Sequence, residues 1–115
     1  MTQNSFTTRM LRDHVMHVDL GTRLDNSNAP AMLQIIHDGQ GKGVQYFILD
    51  CAHVELMSSA GVGAVLGSVE ALRQNNGDII LCSLSAQTRR VLEVLDLLEY
   101  LTVKADCNEA AAFCL

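Results

Sequence analysis

Residues 47–76 read FILDCAHVELMSSAGVGAVLGSVEALRQNN. Tyr46, Phe47, Ile48 and Leu49 form an apolar run that ends at Asp50. The run is too short for a helix and too continuous for a strand with one wet face, so it predicts a central strand buried on both sides. Beyond the loop CAHVELM, Val62, Val65, Leu66, Val69 and Leu72 recur at offsets of three and four. That spacing puts them on one face of a helix packed on the sheet. At about 100° per residue, Ala60, Gly63, Ala64, Gly67 and Ala71 fall on roughly the opposite side. The outward face is therefore smooth, with few side chains to obstruct a docking partner.

Glycine in a helix interior costs about 0.5–1 kcal/mol relative to alanine, yet this helix carries Gly61, Gly63 and Gly67. Two compatible readings account for them: they ease the strand-to-helix turn and close packing on the sheet, or they let a partner approach. Ser58 or Ser59 can cap the first turn with its hydroxyl. The pair follows the C-terminal end of a buried strand and sits at the positive end of a helix. A phosphate on serine there would be held by backbone N–H groups and the macrodipole.

The 115 residues predict one domain spanning the whole chain, large enough for a single core without staples. Thirteen acidic against eight basic residues give a formal charge of −5, which argues against nucleic acid as a partner. The start, MTQNSFTTRMLRD, lacks the basic segment and apolar core of a signal peptide, and no apolar run approaches a membrane span. A cytoplasmic protein without membrane insertion is expected. Cys51, Cys82, Cys107 and Cys114 are widely spaced with no C-x-x-C pair, which suggests neither a zinc site nor a thioredoxin-like motif, and the two that lie in or beside strands are expected to be reduced core residues.

Residues 5–20 alternate loosely through Phe6, Met10, Val15, Val18 and Leu20, predicting two edge-proximal strands with a turn near Arg12 and Asp13. His14 and His17, three apart, would point to opposite faces of a strand, so they read as surface residues rather than a shared metal site. GTRLDNSN, from Gly21 to Asn28, is turn-rich, and Pro30 opens a helix through about Asp38 that Gly39, Gly41 and Gly43 then break. Asn75, Asn76 and Gly77 stop the long helix. IILCSL then supplies a second buried strand, parallel to the first if the helix is a crossover. Ser85 can cap AQTRRVLEVLD, with Val91, Leu92 and Leu95 inward and Arg89, Arg90 and Glu93 outward. Leu97 to Val103 predict a last short strand and NEAAAFCL a final helix. Alternating strands and helices predict a small, mostly parallel mixed sheet of about five strands with about four helices. Function in such sheets sits beyond the carboxyl ends of the strands, where Ser58, Ser59 and Ser85 lie.

No catalytic constellation is expected. Cys51, His53 and Glu55 would share a face if extended, but they fall in a loop and lack a third partner. AGVGAVLG lacks the lysine of a phosphate-binding loop. Asp50 reads either as a polar strand terminus or as a group that orients the loop. No cofactor is expected.

The block from Phe47 through Leu101, FILDCAHVELMSSAGVGAVLGSVEALRQNNGDIILCSLSAQTRRVLEVLDLLEYL, resembles the STAS domain of bacterial anti-sigma factor antagonists. GTRLDNSNAPAML resembles that family's first loop and helix. The resemblance implies a partner-switching protein that binds an anti-sigma factor of the histidine-kinase-like ATPase type. It also implies phosphorylation of a serine at the start of the second helix, reversed by a serine phosphatase. Aligning Gly61-Val62-Gly63 with the family's glycine-hydrophobic-glycine places the acceptor at Ser59. Ser58 stands where many relatives carry aspartate, and is the alternative acceptor. Asp25, Asn26, Ser58, Ser59, Ala60, Gly61, Gly63 and Gly67 form the implied partner surface. STAS-like domains also serve transport complexes and signalling scaffolds, so an accessory transport subunit and a scaffold component are the alternatives.

Overall fold

The computed structural model describes residues 6–114; the expectation that the first strand reaches residue 5, the reading of residues 1–5 and the last residue of the final helix lie outside it. The chain runs β1 (Thr7–Arg12), β2 (Val15–Asp19), β3 (Arg23–Leu24), α1 (Ala29–Gly41), β4 (Tyr46–Asp50), β5 (Leu56–Met57), α2 (Ser59–Arg73), β6 (Asp78–Cys82), α3 (Ala86–Val94), β7 (Thr102–Lys104) and α4 (Cys107–Phe113). Five strands form one sheet in the order β1-β2-β4-β6-β7. Only β1 is antiparallel to its neighbour, and the crossovers α1, α2 and α3 make the remaining pairs parallel. The predicted mixed, mostly parallel sheet with four helices is the fold.

The apolar run of β4 is buried on both sides. Phe47 and Leu49 join Val18, Ile79 and Leu81 on one face, against Met32 and Ile36 of α1, Val62, Val65, Val69 and Leu72 of α2, and Leu92 of α3. Ile48 faces the other way with Val15, Ile80 and Cys82, beneath Ala110 and Cys114 at the α4 end of the chain. The period-two alternation of each strand thus divides the core into two layers.

Several boundaries differ from expectation. α1 runs through Gly39 and Gly41 and turns only at Gly43, whose φ is +94°. Gly39 is buried against the Phe47 ring, where a Cβ would lie 2.7 Å from Cζ. After α2 the left-handed position falls on Asn76, φ 64°, rather than on Gly77. Gly77 instead packs on the Gln45 carbonyl, where a Cβ would collide with backbone, and its N–H closes the helix on Leu72 O at 2.8 Å. The expected strand over Leu97 to Val103 shrinks to three residues. Leu97 N–H bonds to Leu92 O and Leu101 N–H to Leu97 O, so that apolar run is a folded turn plugging the core edge. On α3 Leu92 and Thr88 are buried while Leu95 is exposed, because the helix ends before Leu95.

Candidate functional site

The serine pair lies beyond the carboxyl end of β4, on a rim that β3 and β5 build outside the main sheet. These two-residue strands pair in parallel, Arg23 with Leu56 and Leu24 with Met57. Glu55 N–H donates to Thr22 O at 2.7 Å and Ser58 N–H to Leu24 O at 2.9 Å. The ladder therefore fixes the start of α2 against the residue preceding Asp25. Neither strand was legible in the sequence, since two-residue strands carry no periodicity.

Ser58 is the N-cap: extended in backbone, it accepts from Gly61 N–H through Oγ at 3.2 Å. Its carbonyl accepts from Val62 N–H at 2.9 Å. Of the first-turn donors that a helix leaves without internal partners, those of Ser59 and Ala60 remain at the exposed tip. Ser59, the first helical residue, is exposed, as are Ala60, Gly63 and Gly67 along the same side. Nothing lies within 4 Å of a Cβ built on Gly63 or Gly67. Gly61 is a correction: it is buried, and its Cβ would lie 2.5 Å from Leu24 O, so it serves the β3 contact and not the outer surface.

The loop after β3 is knit by its own polar groups. Asp25 Oδ1 accepts from Ser27 N–H at 2.9 Å and from Ser27 Oγ at 2.6 Å, and Arg23 Nε lies 3.3 Å from Oδ2. The hydroxyl and N–H of Ser27, with the Arg23 guanidinium, hold the Asp25 carboxyl below 3.8. Asn28 accepts from Asp25 N–H and donates to Arg23 O, both at 2.9 Å. Asn26 is exposed at the tip. Asp25, Asn26, Ser58 and Ser59 thus border one rim.

Asp50 orients the loop after β4: Oδ1 accepts from Ala52 N–H at 3.0 Å. Its Oδ2 meets His17 Nε2 at 3.0 Å and Cys107 Sγ at 3.2 Å. Burial works to raise this carboxyl, and the Ala52, Cys107 and His17 donors outweigh it, holding it below 3.8. His17 was expected at the surface; its side chain is 13% exposed, enclosed by this cluster. Cys51, His53 and Glu55 do not converge: Cys51 is buried, the other two are exposed. Arg89 and Arg90 are exposed on α3, and Ser85 caps that helix by accepting from Thr88 N–H at 3.1 Å. Among the described residues no helix is long and apolar enough to cross a membrane.

With fold and rim in place, the chain belongs to the STAS domain family, whose model matches residues 10–110. Among its relatives, BtrV of Bordetella bronchiseptica, provisionally named an anti-sigma factor antagonist, is 38% identical over 71 residues, 62% of this chain and 60% of that protein. The anti-sigma-B factor antagonist of Staphylococcus aureus is 24% identical over 80% of this chain and 85% of its own. The anti-sigma factor antagonist SpoIIAA in its unphosphorylated form superposes with a TM-score of 0.81 at 25% identity over 93% of both chains. The phosphorylated form of the Bacillus protein superposes at 0.77 with 26% identity, over 96% of this chain and all of that one.

Proposed function

We propose that this chain is an anti-sigma factor antagonist of the cytoplasm that docks a histidine-kinase-like ATPase through the rim of β3, the Asp25–Asn28 loop and the first turns of α2. The ATPase phosphorylates Ser59 and is thereby released, and a serine phosphatase restores binding. The observation that carries this reading is the division of labour in the serine pair. Ser58 is engaged as the cap, while Ser59 stands exposed beside it, next to the open faces of Gly63 and Gly67. A hydroxyl so placed is accessible to a kinase and becomes covered when a partner lies on the smooth face. The family relationship and the antagonist names of the relatives support the partner class.

The switch is electrostatic. Phosphorylation adds about −1.5 to −2 charges at pH 7. Moving a complex from about 99% to about 1% bound needs a differential of about 5.5 kcal/mol, a cost of the size expected when the phosphate loses its water beneath a partner surface that offers it no counter-charge. The chain itself needs no rearrangement, because the N–H groups of Ser59 and Ala60 at the helix start hold the phosphate.

The test is affinity capture from native cytoplasm with wild type, Ser59→Ala and Ser59→Asp, followed by reconstitution of the captured ATPase with magnesium ATP. Wild type and Ser59→Ala retain the ATPase, Ser59→Asp loses it, and phosphate maps to Ser59 by mass spectrometry. Phosphate on Ser58 alone moves the acceptor. A transport subunit held equally by all three proteins, or no ATPase at all, overturns the switch.

A further inference from the structure

Away from the serine rim, four side chains from four elements meet on the face of the sheet that α4 covers. Asp50 ends β4, His17 lies in β2, Cys82 ends β6, and Cys107 is the first residue of α4. Asp50 Oδ2 lies 3.0 Å from His17 Nε2 and 3.2 Å from Cys107 Sγ. Cys107 Sγ lies 3.6 Å from His17 Nε2 and 3.0 Å from Cys82 Sγ. His17, Asp50 and Cys107 are 33, 57 and 90 positions apart in sequence, which is why spacing gave no metal signal. Sheet register assembles them: Asp50 is paired with Cys82, and His17 with Ile48 one turn of the pleat below Asp50.

The ligand atoms of His17, Asp50 and Cys107 all lie within 4.8 Å of one another, and this set of one imidazole nitrogen, one carboxylate oxygen and one sulfur is of the donor types that zinc accepts. Ligands at about 2.0–2.3 Å from zinc at tetrahedral angles stand about 3.3–3.8 Å from one another. The His17–Cys107 edge already has that length, and the edges from Asp50 need to open by only a few tenths of an ångström. We propose that His17, Asp50 and Cys107 form a three-ligand binding site for a borderline-soft divalent cation of the zinc class, with the fourth position open to water.

The cation enters as follows. Cys107 coordinates as thiolate and its thiol proton passes to solvent; Asp50 binds as carboxylate, and His17 binds through Nε2 as neutral imidazole after the proton that Nε2 shared with Asp50 has moved by way of solvent to Nδ1. One carboxylate and one thiolate balance the two positive charges. Before binding, the same groups satisfy one another, so the ligands are assembled in advance. The Ala52 N–H bond to Oδ1 leaves Oδ2 aimed at the site, an outer contact of the kind that orients ligands. A groove of about 340 Å³, lined by Thr7, Thr8, Arg9, Asp19 and His17, opens beside His17 on the β1 side. Bound metal would tie β2, β4 and α4 together.

The experiment titrates the full chain, thiols reduced and air excluded, with cobalt(II) and then zinc(II). Wild type is expected to bind one cobalt per chain with tetrahedral d–d bands and a thiolate-to-cobalt charge-transfer band, to release protons on binding, and to yield the cobalt to zinc. Changes outside a metal's ligand shell already cost about 10- to 100-fold in affinity. Cys107→Ser and His17→Gln, each checked for native circular dichroism, should therefore lose at least about 100-fold, while Cys114→Ser binds as wild type. His17→Gln, on the half-buried β2, remains a test if Cys107→Ser fails to fold. Wild type without a charge-transfer band at stoichiometric cobalt, or folded His17→Gln or Cys107→Ser with wild-type affinity, overturns the site.

Discussion

Three glycines of α2 should respond to the same substitution with opposite signs. In Gly61→Ala the new Cβ would stand 2.5 Å from Leu24 O and 3.0 Å from Leu24 C and Cγ, against an ordinary contact of at least 3.4 Å. The gap to close is 3.4 − 2.5, about 0.9 Å, and β3 cannot simply retreat, because the same carbonyl accepts Ser58 N–H at 2.9 Å. Overpacking of this kind costs about 1–3 kcal/mol, offset by about 0.5–1 kcal/mol of helix propensity. The net loss of about 1–2 kcal/mol lowers Tm by about 4–8 °C in a chain of this length. At Gly63 and Gly67 a Cβ meets nothing within 4 Å, so only the propensity gain remains and Tm rises by about 2–4 °C for each. Thermal unfolding followed by circular dichroism decides the matter. Gly61→Ala melting at or above wild type, or Gly63→Ala melting as low as Gly61→Ala, would refute the assignment of Gly61 to packing and of the other two to the open face.

Ser58→Ala removes the cap on α2 and should cost about 1 kcal/mol in urea unfolding, whereas Ser59→Ala should stay within about 0.5 kcal/mol of wild type. Gly77→Ala drives a Cβ into the backbone of Gln45, whose carbonyl also accepts Asp78 N–H at 3.0 Å. A loss of about 3 kcal/mol is expected, read as a lower urea midpoint at unchanged m-value. Burial pushes the Cys51 thiol up to about 12 and the Cys82 thiol up to about 11, with Asp50 adding to both. Thiolate is the reacting form, so iodoacetamide at pH 8 should label these two slowly in the folded chain, faster as pH rises, and fully in urea. Rapid labelling of Cys51 at pH 8 in native buffer would contradict this.

What was legible in the sequence followed from periodicity. The unbroken run from Tyr46 to Leu49 announced a strand covered on both sides, and Val62, Val65, Val69 and Leu72 announced the helix that covers it, because burial acts on every repeat of the pattern. Leu97, Leu98 and Leu101 were apolar for a different reason: they plug a turn, and composition alone does not separate a plug from a strand. The serine rim was half visible. Ser58 and Ser59 stood out as cap candidates, but which of them caps depended on backbone angles set by the β3–β5 pair. Gly61 resembled its neighbours Gly63 and Gly67 in sequence and differs only through Leu24, 37 positions earlier by numbering. The cluster of His17, Asp50, Cys82 and Cys107 was invisible because each residue is isolated in sequence and only strand register brings them together.

The two-residue ladder of β3 and β5 gives the molecule two tiers of cooperativity. The inner strands β2, β4 and β6 of the five-stranded sheet are secured by both core layers. The rim is held by the two-residue ladder itself, the flanking Thr22–Glu55 and Leu24–Ser58 backbone bonds, the polar network of Arg23, Asp25, Ser27 and Asn28, and the buried side chains of Leu24 and Met57. Regions held by few bonds open locally, at free energies far below that of global unfolding. The lip around the serine pair, fixed while its ladder is closed, can therefore open and reclose as a unit while the interior stays shut, and the cost of each opening falls on two residues of strand instead of on the domain.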